Sequence, residues 1–129
     1  GARITHMSVE DHDAALAASS HVPHMVAYAL TSMLADHALS PMKHGGGALR
    51  DMTRIAASDP LMWRDIALTN RDAILIAMEA MAQQHDHLRT LIAEADGGAI
   101  ETFCARCREV RREHDDVLNP LNPRLEQTD

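Results

Sequence analysis

The feature that most constrains this 129-residue chain is a single stripe of side chains: Ala73, Ile74, Ala77, Met78, Met81, His85, Leu88, Leu91 and Ile92. Their spacings of three and four are the period of an α-helix and do not match the two-residue period of a strand. A long helix with one apolar face must lay that face against other helices or a second copy of itself. Aromatic residues make up only 2% of a chain that is 46% hydrophobic, so Ala, Leu, Met and Ile must fill the interior. Strong helix formers with few β-branched or aromatic runs read as an all-α fold.

The rest of the chain follows the same pattern. Ser8 can cap a first helix, with Glu10, Asp11 and Asp13 placed where the helix dipole favours negative charge. The apolar run from Ala14 to Leu34 describes one long helix or two nearly collinear ones. Pro23 removes a donor and crowds the preceding turn, which predicts a kink or break between Ser19 and Val22. Ser40-Pro41 and Gly45-Gly46-Gly47 mark a loop over 38–47, the glycines allowing a sharp turn or a close backbone approach.

A second helix is expected from about Ala48 to Ala57. Ser58-Asp59-Pro60, a capping side chain followed by proline, restarts the chain into a short helix carrying Leu61, Trp63, Ile66 and Ala67. Thr69 or Asn70 is expected to cap the long helix, with Gly97-Gly98 ending it. A last helix then runs from Ala99 to about Leu118, stopped by Asn119-Pro120 and Asn122-Pro123. Residues 1–7 read as an expression leader ending at a start methionine, so His6 is not counted as a ligand. Residues 8–118 read as one helical domain and 119–129 as a loose tail. The expected architecture is a bundle of five to six helices. Apolar faces this continuous exceed what a lone bundle needs, so an intertwined homodimer is expected.

A formal net charge of −7 repels phosphate backbones and argues against nucleic acid as a partner. No apolar run approaches the roughly 18 residues of a membrane span and nothing resembles a signal peptide, so a cytoplasmic protein without a membrane partner is expected. Cys104 and Cys107, on the apolar line of Ile100, Phe103 and Val110, read as buried hydrophobic cysteines, ahead of a redox or zinc pair. Gly45-Gly46-Gly47 lacks a preceding strand, a Gly-x-Gly-x-x-Gly spacing and a following Lys-Ser or Lys-Thr, so it is no nucleotide fingerprint.

His21 and His24, three apart, share one side of a helix. Two histidines make at most half a metal site, and a structural pair at a kink or a polar ligand-binding pair fits them better. His85-Asp86-His87 sends its two histidines to opposite sides and reads as a mixed surface and interface feature. Arg50, Asp51 and Arg54 follow the glycine loop at a helix start. A guanidinium there is a natural fork for a carboxylate, but on charge pattern alone a solvated Asp51–Arg54 ion pair is the better reading. Trp63 is the only tryptophan; it belongs to the core or walls a pocket.

Ser20-His21-Val22-Pro23-His24, then Gly46-Gly47-Ala48-Leu49-Arg50-Asp51-Met52-Thr53-Arg54-Ile55-Ala56, then Ser58-Asp59-Pro60-Leu61-Met62-Trp63-Arg64-Asp65-Ile66, in that order, resemble the C-terminal helical domain of prephenate dehydrogenases. Asn70 follows where that family tends to carry an asparagine. The resemblance runs from about Asp11 to about Asp115. It implies the substrate-binding and dimerisation part of an enzyme that oxidatively decarboxylates prephenate to 4-hydroxyphenylpyruvate on the route to tyrosine. It places a carboxylate-gripping role on Arg54, puts His24 in the same pocket with His21 close by, and assigns Gly47, Asp51 and Trp63 to the pocket or its dimer edge.

Relatives commonly have Gly-Phe where this chain has Ala48-Leu49, which leaves arogenate as an alternative substrate to prephenate. By the same resemblance the catalytic residues and NAD or NADP belong to an N-terminal Rossmann domain absent from this chain. The chain alone is then expected to hold no cofactor and no metal, and to be inactive. Two other readings fit the residues less well: a free-standing regulatory module that binds an aromatic acid, and a metal-binding bundle using His21, His24 and the cysteines.

Overall fold

In the computed structural model, residues 6–119 are described, so most of the expected leader and tail, 1–5 and 120–129, lies outside the described residues. Helices and turns make up the fold, with no strand among the described residues. The chain divides into two compact units, 1–82 and 83–129.

In the first unit, α1 (Val9–Leu16) begins at Ser8, whose Oγ accepts from the Asp11 N–H at 3.1 Å. Neither a break nor a simple proline kink follows. A π-helical turn, Ala17–His21, leads directly into α2 (Val22–Ala35), and the Val22 N–H reaches back five residues to the Ala17 carbonyl. Pro23 has no N–H to donate, and its ring would crowd the carbonyl four residues earlier in a regular α-helix. One extra residue in the preceding turn accommodates that conflict while the helix continues.

After α2, the left-handed residue of the connection is Ser40 (φ 48°), which precedes the 3₁₀ turn Pro41–Lys43. None of the described glycines has a positive φ, so the triple glycine does not serve a left-handed turn. Gly45 instead provides space, because a Cβ there would overlap the Leu49 side chain. The short α3 (Gly47–Thr53) tightens into a 3₁₀ turn, Arg54–Ala57, that packs against α2. Asp59 caps α4 (Pro60–Thr69), accepting from the Leu61 and Met62 N–H groups, while Ser58 bonds the Ile55 carbonyl.

The long helix α5 (Arg71–Ala93) has the length its stripe predicts, but its ends differ from expectation. Asn70 closes α4 through its backbone and turns its side chain elsewhere. At the other end Gly97-Gly98 does not stop the helix. The Asp96 N–H bonds the Leu91 carbonyl and the Ala95 N–H bonds the Ile92 carbonyl, with Ala95 left-handed at φ 52°. This is a Schellman closure built on alanine instead of glycine. The two glycines are the first residues of α6 (Gly97–Glu113), whose cap is Asp96. A short α7 (Asp115–Leu118) follows in the second unit.

The core is small. Among the described residues only Ala17, His21, Val22, Ala27, Trp63 and Ile74 are buried, all in the first unit. Cys104 and Cys107 are exposed, contrary to their expected burial. Two helices can cover only part of each other's surface, and here Ile100 and Phe103 are half-buried while the line through the cysteines and Val110 faces out.

Candidate functional site

The π-turn and the start of α2 bring His21 and His24 onto one aromatic wall. His24 lies on Trp63 of α4, with ring centroids 3.7 Å apart and planes 20° from parallel. His21 meets the same indole edge to face, at 5.9 Å and 82°. Their shared side, expected from the three-residue spacing, therefore survives Pro23. His21 and Trp63 are buried, 7% and 6% exposed, whereas His24 is half-buried. The cluster is thus anchored by a closed inner pair and opens at His24.

Hydrogen bonds hold both rings. His24 Nδ1 lies 3.0 Å from the Ser20 carbonyl oxygen. His21 Nδ1 lies 3.3 Å from Asn70 Nδ2, which also reaches the Asp13 carbonyl at 3.4 Å. Asn70 was legible in the sequence only as a helix cap and a position shared with relatives, because its partners are 57 and 49 residues away. Two buried polar atoms, Trp63 Nε1 and Tyr28 Oη, have no hydrogen-bond partner among the described residues.

The charged candidates lie on α3 and the 3₁₀ turn after it. Asp51 pairs with Arg50 (3.4 Å), not with Arg54, and both partners are more than 70% exposed, so the pair contributes little to stability. Arg54 is exposed and carries no ion pair among the described residues. Its turn packs on α2, the helix of His24, which leaves a cation available on the same unit as the aromatic wall. Gly47 opens α3, and a Cβ there would meet only the Arg50 side chain at 3.6 Å.

A groove in this unit lies between α1 and the start of α5, lined by Asp13, Ala14, Ala18, Asn70, Ala73 and Ile76. It shares Asn70 with the histidine cluster but holds no histidine. With Glu10, Asp13 and Asp72 along it, it is a poor place for an anion. Among the described residues no three His, Cys, Asp or Glu side chains converge as metal ligands. The described residues also form no strand from which a dinucleotide-binding unit could be built. No helix of the described residues is long and apolar enough to cross a membrane.

A family model described as the dimerization domain of prephenate dehydrogenase matches residues 8–107. Cyclohexadienyl dehydrogenase of Zymomonas mobilis is 43% identical over 101 residues, covering 75% of this chain and 34% of its own. Prephenate dehydrogenase of Bacillus subtilis is 35% identical over 114 residues, covering 85% and 30%. The chain therefore spans about a third of the length of the curated relatives it matches. Among solved structures, prephenate dehydrogenase from A. aeolicus in complex with hydroxyphenyl propionate and NAD+ superposes with a TM-score of 0.82 at 35% identity, over 88% of this chain and 41% of that one. Arogenate dehydrogenase of Synechocystis gives a TM-score of 0.82 at 25% identity, over 87% and 42%.

Proposed function

This chain belongs to the prephenate dehydrogenase dimerization-domain family, and from that premise we propose that it is the substrate-binding and dimerising part of an NAD- or NADP-dependent prephenate dehydrogenase. The observation that carries the reading is the His24–Trp63 stack, backed by His21, on the same unit as the unpaired Arg54. An aromatic wall and an uncommitted guanidinium on one unit suit a ring that bears carboxylates. The solved A. aeolicus relative was crystallised with hydroxyphenyl propionate, a molecule of that kind.

In this reading Arg54 holds a carboxylate of prephenate through charge-assisted hydrogen bonds. His24, the open end of the stack, meets the ring with Trp63 behind it, and Gly47 and Asp51 lie at the pocket edge. NAD or NADP supplies the hydride acceptor on a separate Rossmann domain, and the residues described here form no cradle for it. This chain's own share of the chemistry is to bind and orient the substrate.

A second copy of the chain is the proposed partner. Along α5, Leu75, Ile76, Met78 and Met81 are exposed within two turns, Ile76 by 74%. Large apolar side chains left exposed on a helix are what a subunit interface buries.

The test of the pocket is binding of 4-hydroxyphenylpropionate to the purified chain, followed through Trp63 fluorescence. Arg54→Ala should weaken it about tenfold to a hundredfold, the worth of a charge-assisted contact, with helicity unchanged. Unchanged affinity would remove Arg54 from the site.

A further inference from the structure

The geometry points to Asn70 as a positioning residue that sets which nitrogen of His21 carries the proton. Its consequence for ligand binding rests on reading the His21–His24–Trp63 cluster as the substrate pocket.

Asn70 has little freedom in how it presents its amide. The Asp13 carbonyl, 3.4 Å from Nδ2, can only accept, so the side chain must turn its NH₂ end that way. The same nitrogen lies 3.3 Å from His21 Nδ1. One N–H serves the carbonyl and the other meets the imidazole, so His21 Nδ1 must offer its lone pair. In the neutral ring the proton then sits on Nε2.

His24 is held the opposite way. Its Nδ1 faces the Ser20 carbonyl at 3.0 Å, and that oxygen cannot donate, so Nδ1 carries the proton and Nε2 keeps the lone pair. Two imidazoles three residues apart, both against one indole, are thus fixed in opposite tautomers. His21 has a donor at Nε2 and His24 an acceptor. In the pocket reading such a pair would sort oxygen groups by type: of the two rings only His21 can donate to a carboxylate or keto oxygen, whereas a hydroxyl can use either. Without Asn70 the His21 ring would be free to present a second lone pair at Nε2, and that distinction would be lost.

The experiment is long-range ¹H–¹⁵N correlation NMR of the histidine-labelled chain, in buffer alkaline enough for the imidazoles to be neutral. The expected spectrum shows the Nε2–H pattern for His21 and the Nδ1–H pattern for His24. Asn70→Asp replaces a donor by an acceptor of the same shape and should reverse His21 alone; Asn70→Ala should leave His21 a mixture of tautomers. The Trp63 indole resonance reports whether each variant remains folded. An Nδ1–H pattern for His21 in the unsubstituted chain overturns the inference even if both variants unfold, as does a His21 pattern unchanged in both folded variants.

Titration with 4-hydroxyphenylpropionate separates this inference from the pocket reading. Asn70→Asp should lower the affinity about tenfold, the worth of one lost hydrogen bond to a charged group. If the unsubstituted chain shows no ligand-induced shift at His24 or Trp63, the pocket reading fails. The tautomer spectra then still decide whether Asn70 sets His21.

Discussion

His24 lies flat on Trp63, 3.7 Å between ring centroids, although the two residues come from different helices and 39 positions apart in the sequence. The stack joins the start of α2 to α4 just after the π-turn that widens the helix register. Truncating a buried tryptophan costs about 3–5 kcal/mol, so Trp63→Ala should lower the urea midpoint of unfolding steeply. A double-mutant cycle with His24→Ala and Trp63→Leu should give a coupling of about 1 kcal/mol. A coupling of zero would mean that the stack contributes nothing beyond burial.

Gly45 and Gly47 are two residues apart and should behave differently. Gly45→Ala forces the Leu49 side chain aside and is expected to destabilise the fold by about 1 kcal/mol. Gly47→Ala meets only an ordinary contact with Arg50 at the start of α3, so it should leave the fold as stable or raise its stability by up to about 1 kcal/mol. If Gly47 shapes the pocket, its variant should instead weaken 4-hydroxyphenylpropionate binding. Equal affinity for Gly47→Ala and the unsubstituted chain would take Gly47 out of the site.

Ala95 closes α5 in a left-handed conformation that costs an L-residue about 1–2 kcal/mol. Glycine adopts it freely but loses more entropy on folding, so Ala95→Gly should stabilise the chain by about 1 kcal/mol or somewhat less. Chemical denaturation measures this directly, and a destabilised variant would contradict the Schellman closure.

Ile76 is the most exposed large apolar residue of α5. Ile76→Glu puts a charge into the proposed subunit interface while leaving the buried side of α5, at Ile74, untouched. Sedimentation should show the unsubstituted chain as a dimer at micromolar concentration and the variant shifted toward monomer. A monomeric unsubstituted chain would remove the dimer from the proposed function.

The helices themselves were legible in the sequence because their signals are local. Three- and four-residue spacing, Ser8 as a cap and Asp59-Pro60 as a start each act within one turn of the residues they organise, so the order of the main helices could be read directly. The family resemblance likewise grouped His21, His24 and Trp63, which the fold brings into ring contact.

Tertiary structure decided what depends on partners distant along the chain or on competition between neighbouring signals. Pro23 could have broken the helix, and the π-turn kept it whole. Gly97-Gly98 had the composition of a helix stop, yet Asp96 caps a new helix there and Ala95 makes the closure. The cysteines sit on an apolar line, but burial requires another surface over that line, which periodicity alone cannot supply. Asn70 shows the limit most clearly, since its amide matters through Asp13 and His21, contacts that exist only once α1, the π-turn and the α4–α5 junction have come together. Periodicity specifies which face of a helix is apolar; only packing specifies what meets that face.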